Sequence, residues 1–355
     1  MSGLSARKNI EDIYPLTPAQ QGMLFHAMQA PDSGVYIEQL TAYLPADLDP
    51  GLLREAWDRI ISRHPVLRTL VVADRGKQPL QLVRQRVTAP WRDEDWRGIT
   101  EGEATKQLAD LLREDRRAGF ALDRAPLMRF CLIAWPGEAW RFVWTFHHLL
   151  LDGWSTARIL EEVRAAYHGV ERGSSPPAPF RAFVSWLGKQ DGAAAARYWR
   201  SVFQGFTGAS PLQPLWSDQT DPLESGSYRR HHLDLTPERV AALQAFARSA
   251  RVTPNTVFQG AWACLLSRFS GDDDLVFGVT VSGRPADLPH AEDMVVMLIN
   301  TLPQRGKQPD QTQVVDWLQT QHSTHTESRG KEDSDMTDVP RASRLAGDTG
   351  VLGGR

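Results

Sequence analysis

The 355-residue chain is 41% hydrophobic and 23% charged, a balance that fits a soluble globular protein with two subdomains or one large one. Its net charge of −3 provides no overall basic field for nucleic acid or an anionic membrane. No apolar run approaches membrane-spanning length, residues 1–8 lack the apolar core of a signal peptide, and Cys131 and Cys264 sit in apolar runs as reduced core residues of a cytoplasmic protein, not as a disulfide framework or a zinc site.

Thr17-Pro18 predicts a helix start, with threonine as N-cap and proline at the first helical position. Residues 36–44 alternate as a strand. From Asp49 a helix is expected, with Leu52, Leu53, Trp57, Ile60 and Ile61 on one face. It should stop near His64, because Pro65 disfavours helical geometry in the residue before it. Strands are expected at 66–73 and 79–87 around a turn at 74–77, then an amphipathic helix over 104–117. Residues 127–135 and 140–147 form a hairpin-like pair, and a helix capped by Ser155 runs to about Tyr167. Residues 173–179 read as a loop, 180–203 as two helical pieces, and 205–226 as irregular.

A second α/β pattern follows. It comprises a strand at 227–235, a helix from Thr236-Pro237 to about Ala250, and a helix from Thr253-Pro254 to near Gly271 that is apolar enough to be buried. Residues 275–281 form an apolar strand of the sheet-centre type, 294–302 are apolar again, and a helix covers 311–326. From Ser328 the chain becomes charged and then glycine-rich, and reads as a poorly ordered tail.

The chemistry concentrates in His147-His148-Leu149-Leu150-Leu151-Asp152-Gly153, between a strand and a helix. Histidine is the side chain whose ordinary pKa lies nearest neutrality, so it commonly moves protons. Strand alternation puts His147 and His148 on opposite faces, one toward the core and one toward a cleft. A metal site is disfavoured, since adjacent histidines diverge and no close set supplies the other ligands. Asp152 reads either as a helix cap or as the partner of a buried arginine. His231-His232 lacks the aspartate-glycine turn and reads as structural. No Gly-x-Ser-x-Gly elbow and no phosphate-binding glycine loop is present.

Taken together, these segments resemble the condensation domains of nonribosomal peptide synthetases. His147 to Gly153 matches that family's His-His-x-x-x-Asp-Gly motif in full. Leu16-Thr17-Pro18-Ala19-Gln20-Gln21-Gly22-Met23-Leu24-Phe25-His26 resembles its opening motif, and Arg63-His64-Pro65-Val66-Leu67-Arg68-Thr69 its Arg-His-x-x-Leu-Arg-Thr motif. Val279-Thr280-Val281-Ser282-Gly283-Arg284-Pro285 and Ile299-Asn300-Thr301-Leu302-Pro303 are similar to later motifs, so the likeness runs over roughly residues 10–327.

The resemblance implies a layered α/β (α+β) fold of two chloramphenicol-acetyltransferase-like lobes in a V-shaped pseudo-dimer. The first lobe would cover residues 1–175 and the inter-lobe helices and linker 176–226. A partial second lobe would cover 227–327, and the tail 328–355. It implies a peptide bond made by attack of an acceptor amine on a donor thioester. Both substrates would be carried on the 4'-phosphopantetheine of peptidyl carrier proteins, beside adenylation or epimerisation domains, with no cofactor held by the domain itself. His148 would be catalytic. His147 would be structural, Asp152 would bridge to Arg284 across the lobes, and Gly153 would leave room for substrate and offer an amide to the oxyanion. The opening motif looks most like domains that take a D-configured donor. Epimerisation domains share the paired histidines but usually carry a Glu-Gly-His-Gly-Arg-Glu stretch that is absent here. Residues 337–355 follow the family pattern only loosely, so the second lobe is expected to be incomplete. A truncated remnant is favoured over a shortened carrier-binding module.

Overall fold

The computed structural model describes residues 9–30, 33–73, 78–170, 177–206, 232–307 and 312–331. The expected turn at 74–77, most of the irregular stretch 205–226, His231 and the tail beyond 331 lie outside them. So do residues 227–231 of the expected strand 227–235, and its described part, 232–235, is not a strand. By contacts the chain forms two compact units, 1–189 with 284–298, and 190–283 with 299–355. The stretch 284–298, assigned to the second lobe on sequence, therefore packs with the first unit.

In the first unit, β1 (Ile10–Pro15), β3 (Thr69–Val72) and β4 (Leu80–Arg84) form an antiparallel sheet in the order β1-β4-β3. Four more strands form the main sheet: β2 (Ile37–Leu44), β5 (Trp91–Asp95), β6 (Met128–Ala134) and β7 (Trp140–His147), in the order β2-β7-β6-β5. The expected hairpin β6–β7 is antiparallel, with Met128 opposite Phe146. β5 pairs parallel to β6, and neither β1 nor β5 was expected. The strand expected at 66–73 begins instead as a 3₁₀ turn, Pro65–Arg68, because Pro65 fixes its own backbone in a turn-compatible geometry.

Helices α1 (Pro18–Gln29), α2 (Pro50–Arg63), α3 (Glu101–Ala118), α4 (Gly153–Tyr167) and α5 (Phe180–Leu187) complete this unit. On one face of the main sheet, Phe130, Phe142, Trp144 and Phe146 pack with Leu53, Trp57, Ile60 and Ile61 of α2 and Ile159 and Val163 of α4. On the other face, Cys131, Ile133 and Val143 pack with Ala104 and Leu108 of α3. Trp57 anchors the first layer, with its ring centroid 4.5 Å from Phe130 and 4.8 Å from Trp144. This burial on both faces is what fixes the end of β7, where the paired histidines begin.

The second unit contains α6 (Gly192–Val202), α7 (Pro237–Ser249), α8 (Pro254–Ser270), α9 (Val314–Arg329) and the antiparallel pair β8 (Asp274–Val281) and β9 (Asn300–Lys307). α9 continues through Ser328, so the charged stretch there starts inside a helix. α8 ends at Gly271, whose φ of 78° suits a residue without Cβ. This helix is only half-buried, contrary to expectation. Gly260 and Ala263 face α9 and β9, whereas Phe258 is 54% and Trp262 49% exposed. Cys264 lies exposed on the same helix, so only Cys131 meets the expectation of a core cysteine. Burial pushes the Cys131 thiol up to about 12, which keeps it protonated and unreactive. Among the described residues, no helix is long and apolar enough to cross a membrane.

Candidate functional site

The loop from His148 to Asp152 leaves the end of β7 and enters α4. His147, the last residue of β7, is 2% exposed. Its Nδ1 accepts a hydrogen bond from the Leu149 N–H at 3.1 Å, so this nitrogen carries no proton. Burial, then the neighbouring His148, lowers its pKa to about 4, which leaves the ring neutral near pH 7.

His148 points elsewhere, as the alternation predicts. Its backbone N–H donates to the Tyr36 carbonyl at 2.8 Å, just ahead of the edge strand β2. Its Nδ1 lies 2.7 Å from the Leu151 carbonyl. A carbonyl only accepts, so Nδ1 carries a proton, and in the neutral ring Nε2 is the nitrogen with the lone pair. Nε2 has no hydrogen-bond partner among the described residues. His148 lines a cavity of about 270 Å³, together with Glu38, Leu40, Phe146, Leu151, Gly153 and Thr156.

Asp152 is fully buried and caps α4, with Oδ1 accepting from the Ser155 N–H at 2.8 Å. The cap is therefore Asp152, not Ser155, because the aspartate has the extended backbone that places its carboxylate over the first turn. Arg284 donates from Nη1 to Oδ2 at 2.7 Å and from Nη2 to Oδ1 at 3.2 Å. The Leu298 N–H adds a bond to Oδ2 at 3.1 Å. The carboxylate is thus held by three donor groups and has no bond to His148. Asp152 fills both of the roles weighed for it, cap and arginine partner.

Gly153 opens α4, where the first N–H groups have no partner within the helix. A Cβ built there would meet no protein atom within 4 Å, so the glycine faces open space. His148 and Gly153, the first residue of α4, line one cavity, and a helix start beside an imidazole suits a reaction that generates negative charge beside a proton acceptor.

Several supporting residues were not foreseen. The Ser155 hydroxyl donates to the Val296 carbonyl at 2.7 Å and accepts from the Val296 N–H at 2.9 Å. It also accepts from Arg284 Nη2 at 3.2 Å. The Trp154 Nε1–H donates to the Glu292 carbonyl at 3.0 Å. Gln20, in the capping box of α1, donates from Nε2 to the Leu149 carbonyl at 3.0 Å. The capping box was legible as Thr-x-x-Gln, but its reach of 129 residues was not. In the Arg-His segment, His64 lies 2.7 Å from Glu162 of α4 and Arg63 3.2 Å from the same oxygen, which ties α2 to α4. His232 is exposed.

Comparison with known proteins places this geometry. Residues 10–351 match the Condensation domain family. One component of the linear gramicidin synthase of Brevibacillus parabrevis is 40% identical over 347 residues, covering 95% of this chain. Chondramide synthase cmdD of Chondromyces crocatus is 34% identical, covering 97% of the chain. The chain spans only 7% and 10% of those two proteins. In fold, it matches the first condensation domain of the calcium-dependent antibiotic synthetase with a TM-score of 0.75 at 21% identity, over 96% of this chain and 79% of that one. The condensation domain from Monacolin K polyketide synthase MokA also matches with a TM-score of 0.75, at 18% identity, over 96% of this chain and 77% of that one. The fold is therefore the mixed α/β, chloramphenicol-acetyltransferase-like fold. The chain belongs to the condensation-domain family of nonribosomal peptide synthetases, whose members are amide-bond-forming acyltransferases.

Proposed function

We propose that this chain joins two carrier-bound substrates by a peptide bond, with His148 as the catalytic residue. The supporting observation is that His148 lines the cavity while its Nδ1 is engaged by the Leu151 carbonyl, which leaves Nε2 as the nitrogen available to a substrate. Nε2 takes a hydrogen bond or a proton from the acceptor amine as its nitrogen attacks the donor thioester carbonyl. The new C–N bond forms, the C–S bond breaks, and the amine's proton passes to the leaving sulfur, giving a free thiol. A thioester is already activated, so orientation of two tethered reactants supplies much of the rate. The Gly153 N–H, at the positive end of α4, faces the oxyanion of the tetrahedral state. Asp152, Arg284 and His147 hold this loop in place and touch neither substrate.

The substrates arrive as thioesters on the 4'-phosphopantetheine of donor and acceptor carrier proteins, within a cytoplasmic synthetase that includes adenylation domains. The opening segment 16–26 supports a D-configured donor. The test mixes the protein with carrier proteins loaded with D- or L-donor and L-acceptor residues, and follows dipeptidyl carrier by mass spectrometry. A His148-dependent dipeptide, formed faster from the D-donor, is expected. Carrier binding without any dipeptide would reduce the chain to a docking module.

A further inference from the structure

The loop bearing His148 has no regular strand or helix of its own, so its geometry must be imposed by neighbours. His148 is held at its backbone N–H by Tyr36. The next residue, Leu149, is held at both polar groups. Its N–H donates to His147 Nδ1 at 3.1 Å, and its carbonyl accepts from Gln20 Nε2 at 3.0 Å. Two residues on, the Leu151 carbonyl receives the His148 ring at 2.7 Å. The direction of the imidazole therefore depends on where Leu149 is pinned.

Gln20 is suited to that task because it cannot turn. It is 2% exposed. Its Oε1 accepts from the Thr17 N–H at 3.0 Å and from Gln81 Nε2 at 3.0 Å. Flipping the carboxamide would set its NH₂ against two donors and its oxygen against the Leu149 carbonyl, leaving buried groups unsatisfied. The two donors on one end thus force the amide hydrogens toward Leu149.

We propose that Gln20 is a positioning residue for the reaction, which sets the orientation and tautomer of His148 by fixing the Leu149 carbonyl. The proposal rests on His148 being the catalytic group. Gln20→Met keeps the side-chain length and removes the donor. Thr17→Ala is the control, since it removes the helix cap and leaves the Gln20 carboxamide bonds in place. Both variants are expected to lower the melting temperature by a few degrees.

The discriminating readouts are the ¹⁵N and ¹H imidazole signals of His148 in histidine-labelled protein, and steady-state dipeptide formation. In Gln20→Met the slowly exchanging Nδ1–H signal should be lost, and kcat should fall at least tenfold with carrier KM within twofold. In Thr17→Ala the signal should remain and kcat should stay within twofold of the parent. A retained Nδ1–H signal in Gln20→Met, or an equal loss in Thr17→Ala, overturns the proposal. The NMR arm reports on the clamp even if no dipeptide forms, so failure of the clamp and failure of the proposed reaction are told apart.

Discussion

Asp152 and Arg284 are 132 residues apart in sequence and meet at 2.7 Å in a buried, bidentate pair. The aspartate is also the N-cap of α4, so one carboxylate fixes the start of the helix and receives the guanidinium. Replacing it by asparagine leaves a buried arginine charge without its counter-ion, which costs on the order of 3–5 kcal/mol. Asp152→Asn should therefore shift the urea midpoint strongly downward as activity falls. An unchanged midpoint with lost activity would instead assign the carboxylate a direct chemical role.

Gly153 leads to the opposite pairing of effects. A Cβ there meets no protein atom within 4 Å, so Gly153→Ala should fold as well as the parent. The methyl group would project into the space assigned to the substrate. We expect an unchanged melting temperature and a fall in kcat/KM of about tenfold or more, equivalent to about 1.4 kcal/mol. Full activity in the alanine variant would remove the role given to the glycine.

His147 gives a pH dependence with a definite sign. Its pKa is about 4 in the folded chain and near 6.5 when exposed, so the unfolded chain binds the extra proton between these values. Stability from this group is complete above about pH 6.5 and is lost as pH falls toward 4, by roughly 3 kcal/mol. His147→Gln should flatten that part of the stability-versus-pH curve, measured by urea unfolding at half-unit steps. A curve as steep as that of the parent would place the titration elsewhere.

Ser155 carries a prediction that activity does not need to report. Its hydroxyl satisfies both polar groups of Val296. Ser155→Ala leaves these buried groups unpaired, at a cost of about 2–3 kcal/mol. Hydrogen exchange at the Val296 amide should rise sharply in this variant. Equal protection in parent and variant would show that the contact does not persist in solution.

Much of the first unit was legible because local chemistry and burial agree there. Thr17-Pro18 and Asp49-Pro50 announce helix starts, and the Phe142-Trp144-Phe146 alternation announces a strand. β1 and β5 were not legible. Each is short and acidic, Ile-Glu-Asp-Ile-Tyr-Pro and Trp-Arg-Asp-Glu-Asp, and each is strand only because a neighbour pairs with it. α8 misled in the other direction. Its apolar residues encircle the helix, and nothing in that pattern says which side is covered. Within the site, the paired histidines and Asp152-Gly153 stood out as a motif between a strand and a helix, and Arg284 was named only through the family resemblance. The partners of Ser155 and Gln20 are backbone groups of Val296 and Leu149, and a backbone group leaves no mark in a sequence.

The placement of 284–298 with the first unit also has a consequence for how the molecule is made. A ribosome adding about 5–20 residues per second needs roughly 7–26 s to cover the 132 residues between Asp152 and Arg284. During that interval the Asp152 carboxylate has no Arg284 to pair with. Residues 190–283 of the other unit are synthesised first. The newborn first unit must therefore wait, with an open buried position, for a stretch of chain that arrives after most of its neighbour.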